Sequence, residues 1–161
     1  MSTAAVESCT PTSLDGSSFT GVEYIGINTK SGISSTVSGG LVVATCQDNV
    51  DLFTSGIMTA VLSPTGGWSS HYIGFNTSAD PGITALNGTF HIYNRDPGGG
   101  GIFHHTSTDG VTWSENTYEG FNTSGACAPV VIKDAMAVFY AGTGSNNGNN
   151  SVMLTYPFPT S

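Results

Sequence analysis

Three amide–hydroxyl pairs, Asn28-Thr29, Asn76-Thr77 and Asn122-Thr123, lie 48 and 46 residues apart. Each closes the same phrase, Tyr-x-Gly-(Ile/Phe)-Asn-Thr, opened by Tyr24, Tyr72 and Tyr118. Short amides and hydroxyls on glycine-rich loops suit the hydrogen bonding of vicinal sugar hydroxyls, and a Tyr or Trp offers a flat face for the apolar side of the ring. The competing role is local, because Asn and Thr also cap turns through their own backbone. Arg95, the only arginine, precedes Asp96 at the mouth of a strand connection. It either faces a ligand or pairs with Asp96 or a neighbouring carboxylate. Tyr93 and Tyr140 read as matched positions near the ends of their strands, fit for a site or for core packing. His71 and Glu119 flank the Tyr phrase and could line a pocket between units or face solvent. His104 and His105 are adjacent, so on a strand they point to opposite faces and cannot readily chelate one ion.

Nothing marks an acid and base pair for glycoside hydrolysis. Of eleven acidic residues, Asp15 and Asp109 belong to a turn motif and the rest recur at no repeated position. There is no Gly-x-Ser-x-Gly elbow, phosphate loop or Cys/His constellation. The expectation is a binding protein and not an enzyme, with no cofactor and no metal. A net charge of −8, with Lys30, Arg95 and Lys133 as the fixed cations, excludes nucleic acid and disfavours anionic membranes. No apolar run approaches a membrane span, and the opening "MSTAAVESCT" has neither a basic n-region nor an apolar h-region. A cytoplasmic location is expected, with release to act on foreign glycans as an extension. Cys9, Cys46 and Cys127 are odd in number and fit no metal spacing, which suits reduced thiols. Four glycosylation sequons begin at Asn76, Asn87, Asn122 and Asn149, as chance allows in a chain this rich in Asn, Ser and Thr.

These residues must be positioned by repeated elements. Twenty-two glycines, few charges and no helical stripe point to an all-β fold. After each Tyr phrase come "SGGLVVATCQDN", "LNGTFHIYNRDP" and "KDAMAVFYAGTG", each a turn, a run of β-branched and aromatic residues, and a second turn. A further strand follows, "LFTSGIMTAVLS", "GIFHHTS" and "SVMLTYPFP". The 161 residues therefore read as one repeat domain, with a turn and strand over 1–29 and repeats over about 24–71, 72–117 and 118–161. Each repeat of four short strands lacks the means to bury both its faces alone, and the last is expected to be completed by an N-terminal strand.

The stretch "STDGVTW" resembles the Asp-box hairpin of sialidase-type propellers, matched by Ser107, Asp109, Gly110 and Trp113. Ser13, Asp15, Gly16 and Phe19 match more weakly; in the middle copy Ser63, Gly67 and Trp68 remain, but Thr65 replaces the Asp and the turn is one residue shorter. The wider phrase is similar to the blades of propeller lectins from fungi and bacteria. That resemblance implies β-propeller blades, three four-stranded repeats per chain, and a six-bladed ring closed as a homodimer. It makes Asp15, Asp109, Trp68 and Trp113 scaffold. It implies glycans as partners, bound at several weak sites that gain avidity on one ring. Sialidases hold their substrate with an arginine cluster, which a single arginine cannot supply. A β-trefoil is the alternative fold, without its usual Gln-x-Trp signature. A protein-interaction scaffold on the same ring is the alternative function.

Overall fold

The computed structural model describes residues 24–49, 55–143 and 152–155, and every regular element among them is a strand. β1 (Thr29–Ser38), β2 (Leu41–Asp48), β3 (Ser55–Leu62) and β4 (Trp68–Thr77) form one antiparallel sheet in chain order. β5 (Gly82–Leu86), β6 (Thr89–Arg95), β7 (Gly101–Ser107), β8 (Thr117–Ile132), β9 (Ala135–Gly142) and β10 (Val152–Thr155) form the second, again in order. The chain is all-β, as the composition required. β8 serves two repeats at once: Thr117, Tyr118 and Asn122 pair with β7, and Thr123 to Ile132 pair with β9.

Three hairpins set the register. β1–β2, β5–β6 and β8–β9 turn through Gly39-Gly40, Asn87-Gly88 and Lys133-Asp134, and all six residues have positive φ. This is the two-residue turn whose twist matches that of the flanking strands. Glycine enters it freely and Asn and Asp at modest cost, whereas Lys133 (φ 49) is held there against side-chain preference. Counted from these turns, Tyr93 corresponds to Phe139 and Tyr140 to Asn94. The expected match of Tyr93 with Tyr140 is thus one residue out. One residue in a strand means opposite faces.

Side-chain alternation builds layers. The odd residues Val43, Ile57, Val61 and Ile73 of the first sheet meet Ile83, Phe90 and Ile92 of the second in one apolar cluster. The far face of β6 and β7 carries Tyr93 and Ile102 into a second cluster with Cys127, Val138 and Tyr140 from β8 and β9. The first sheet's other face packs Cys46 and Ala60 against Ile27, flanked by Ile25, Met58 and Trp68. Burying a Phe90 or an Ile92 is worth about 2 kcal/mol each. β5 lies between β1 and β8 so tightly that a Cβ on Gly82 would fall 2.2 Å from the Cys127 carbonyl oxygen.

The β7–β8 turn is a hydrogen-bonded plug. Asp109 Oδ1 accepts the amides of Val111 and Thr112 at 2.8 Å each, and the Ser107 hydroxyl at 2.9 Å. Ser107 Oγ in turn accepts the Gly110 amide at 2.9 Å. Burial works to raise the Asp109 pKa, but the amides of Thr112 and Val111 and the nearby hydroxyls together bring it below the usual value. Trp113 joins the first cluster and donates Nε1–H to the Gly110 carbonyl at 3.1 Å, while buried Thr59 of β3 donates its hydroxyl to the same oxygen at 3.1 Å. Asp109 and Trp113 therefore act as scaffold, tying the second sheet's turn to the first sheet's face. In the β3–β4 turn Thr65 Oγ1 bonds Ser63 Oγ at 2.9 Å, and the tight turn is closed by Gly66 N–H to the Ser63 carbonyl at 3.0 Å. Trp68 is half-buried on the opposite face of the sheet. Asp15 lies outside the described residues.

Candidate functional site

The Tyr-x-Gly-x-Asn phrase is a bulge. Between Gly56 and Met58 on β3, the facing strand runs from Asn76 to Tyr72, and β7–β8 repeats this with Gly101 and Phe103 against Asn122 and Tyr118. Two extra residues must be absorbed, and Gly74 (φ 89) and Gly120 (φ 80) turn the chain through the left-handed region to do it. The bulge bends Tyr72 back along its own strand, so its hydroxyl donates to Asn76 Oδ1 at 3.2 Å. Tyr118 and Asn122 repeat the contact at the same 3.2 Å. Each ring lies over a glycine: a Cβ on Gly56 would sit 2.5 Å from Tyr72 Cε2, and one on Gly101 3.0 Å from Tyr118 Cε2. The rings are nonetheless 55% and 52% exposed, and Asn76 and Asn122 are exposed beside them. The hydroxyl bond fixes the amide's orientation, leaving its nitrogen without a protein partner among the described residues. Tyr24 is 62% exposed, and Gly26 repeats the positive φ (85), with Asn28 exposed as well.

The threonines do something else. Thr77 Oγ1 donates to the Ala79 carbonyl at 2.7 Å, Thr123 Oγ1 to that of Gly125 at 3.1 Å, and Thr29 Oγ1 to that of Ser31 at 3.3 Å. Each hydroxyl also accepts the matching amide from the residue two places on. This is one turn made three times, and Thr77 and Thr123 are fully buried in it. Turn capping therefore falls to the threonines, which frees the asparagines for the surface.

Arg95 does not pair with Asp96. Its Nε–H donates to the Thr123 carbonyl at 2.9 Å and its Nη1 to Ser78 Oγ, so the guanidinium clamps the connections that follow β4 and lie within β8. Ser78 N–H donates to the Arg95 carbonyl at 3.1 Å and Thr123 N–H to that of Gly100 at 2.8 Å, bringing the two kinds of loop together on one side. Asp96 Oδ2 caps its own turn through the amides of Gly98 and Gly99, at 3.0 and 2.8 Å.

A polar chain crosses the far face of the second sheet. His91 Nδ1 and His104 Nε2 are 2.9 Å apart, and His104 Nδ1 lies 3.1 Å from Glu119 Oε1. Buried Tyr93 stacks on His104 with centroids 4.4 Å apart and points its hydroxyl at Met136 Sδ, 3.5 Å away. Burial lowers the His104 pKa and raises that of Glu119, so both shifts disfavour charge. The contact is best described as a neutral imidazole Nδ1–H donating to the carboxylate, which leaves Nε2 to accept from His91. Burial, aided by His104, pushes His91 down to about 4. His105 faces the other way, as adjacency required, with Nε2 on Asn94 Oδ1 at 3.0 Å and its ring on Phe75. Tyr140 is buried and carries Phe121 on its ring at 5.9 Å. His71 Nε2 bonds Ser69 Oγ at 3.0 Å on the first sheet, away from Glu119.

Of the sequence candidates, Asn76 and Asn122 are thus exposed in identical settings, while Thr77, Thr123, Arg95, Asp96, Tyr93 and Tyr140 hold the framework. The residues that the site reading missed are Tyr72 and Tyr118, visible in the sequence as the opening of the repeated phrase but valued there only as landmarks. A ring face and an oriented amide, side by side, can stack on an apolar surface and bond an adjacent hydroxyl. No family model matches this chain, and no curated protein compared with it is significantly similar.

Proposed function

We propose that this chain is a carbohydrate-binding protein that engages glycans through repeated shallow sites, each built on an exposed Tyr and its bonded Asn. The observation that carries the reading is the duplication of that pair at Tyr72–Asn76 and Tyr118–Asn122, with the same 3.2 Å bond and the same glycine beneath each ring. A framework contact would not need to expose two large aromatics, and an enzyme would need only one site. Weak sites held on one rigid body gain apparent affinity from effective concentration.

On this reading the sheets are propeller blades, and two chains close a six-bladed ring. Two sequential meanders stacked face to face, with β8 carrying the chain from the second of them on to β9 and β10, support blades over a trefoil. Ile33 and Val37, on the face of β1 turned away from the second sheet, are exposed, as is Ile132 at the end of β8, and these apolar residues support closure by a partner copy. They also favour the second reading, a protein-interaction scaffold.

The test is a glycan array probed with the full chain and with Tyr72→Ala/Asn76→Ala, Tyr118→Ala/Asn122→Ala and the combination. Each pair variant weakens array binding about ten-fold or more by removing avidity, and the combination abolishes it. Wild-type binding by a folded combined variant refutes the site.

A further inference from the structure

The first sheet shows how a turn from the next repeat seals a blade face. Val43 and Thr59 are 0% exposed and Val61 is 5% exposed, because the Ser107–Trp113 turn sits on them. A Cβ on Gly110 would lie 2.7 Å from Val43 and 3.0 Å from Val61. By strand register the same three positions on the second sheet are His91, His104 and Thr106, with Glu119 in the place of Ile73. These are only half-buried, and among the described residues no turn covers them as Gly110 covers Val43. The face is finished as a seat, with a hydrogen-bonded His91–His104–Glu119 chain stacked on Tyr93.

We propose that the occupant is the Ser13–Phe19 turn of a second copy of this chain. The claim rests on the ring of two chains proposed above. The segment "SLDGSSF" repeats the pattern of "STDGVTW". Gly110 is the residue that meets Val43 and Val61, and Gly16 takes its place in the repeated segment, with Phe19 in the place of Trp113. Reach argues against the chain's own copy of this segment. Ile25 and Ile27 pack on the outer face of the first sheet. From Phe19 to Tyr24 the chain spans at most about 17 Å. The seat lies beyond two sheets spaced about 10 Å apart, so the straight path is about 20 Å through protein and the path around is longer.

The experiment uses the full-length chain with Cys9→Ser, leaving Cys46 and Cys127, which are buried. One variant adds Ser17→Cys, another Thr106→Cys, and the two are co-expressed with different tags and treated with a short bis-maleimide. Expected is a covalent product of twice 16.5 kDa that carries both tags, with either variant alone giving none. A dimer by light scattering that yields no mixed-tag product overturns the seat and spares the ring. A 16.5 kDa monomer overturns both. A chain carrying both cysteines that links only within itself makes the occupant its own turn and also overturns the claim. Glycan binding is read separately, so failure of the sugar site leaves this outcome unchanged.

Discussion

Gly110 is where two sheets are locked together, and replacing it with Ala tests the packing directly. Two costs combine. At φ +75 a residue with a Cβ is strained by about 1–2 kcal/mol. The added methyl would then meet Val43 at 2.7 Å and Val61 at 3.0 Å, both core side chains with no room to yield, an overpacking cost of about 1–3 kcal/mol. The sum is about 2–5 kcal/mol. At about 2–4 °C per kcal/mol for a chain of this length, Tm falls by about 4–20 °C. Gly88→Ala is the control, since it has nearly the same φ (+82) and nothing within 4 Å of the new atom. It keeps the strain and lacks the clash, so it lowers Tm by about 2–8 °C. Thermal unfolding followed by circular dichroism, with urea titration of the same proteins, reads the difference. Equal losses in the two variants would refute the argument that the turn is wedged between Val43 and Val61.

Three further outcomes follow from the same geometry. Lys133→Asn with Asp134→Gly converts the β8–β9 turn to the pair already present at Asn87-Gly88, relieving two left-handed residues, and raises stability by about 1–2 kcal/mol in urea unfolding. Acid destabilises the fold through its histidines. Burial holds His91 and His105 at about 4 and lowers His104, against 6.5 when unfolded, so below about pH 6.5 the unfolded chain takes up protons first and stability drains as pH falls toward 4. The urea midpoint is therefore lower at pH 5 than at pH 7.5, and His105→Gln removes about one proton from that dependence. An unchanged midpoint across this range counts against the buried, neutral histidines. Arg95→Lys keeps the charge but cannot reach Ser78 and the Thr123 carbonyl together; it costs about 1–3 kcal/mol and speeds amide exchange at Ser78 and Thr123.

Much of this molecule was legible before any coordinates. Glycine-rich turns, strands of β-branched and aromatic residues and a repeat near 47 residues dictate an all-β chain, because periodicity and turn chemistry are local properties. The Ser107–Trp113 turn was readable for the same reason: Ser, Asp and Gly at fixed offsets satisfy the backbone within a few residues. The adjacency of His104 and His105 alone placed them on opposite faces. Register was another matter. An alignment by residue type matched Tyr93 with Tyr140, and only the hairpin pairing showed them to be one place apart.

Roles that depend on distant partners were decided by tertiary structure. Arg95 next to Asp96 suggests an ion pair, yet the carboxylate is satisfied by its own turn and the guanidinium by loops from other strands. Thr77 and Asn76 look equally fit for a ligand, but the bulge at Gly74 sends one inward and leaves the other beside an exposed ring. The glycines beneath Tyr72 and Tyr118 are separated from them by 16 and 17 residues, so nothing local signals that they belong together. Composition and spacing determined which elements form. Which side chains remain free to meet a ligand was set by long-range strand pairing, because a hydrogen-bonding group is available only once its competitors across the sheet have found other partners.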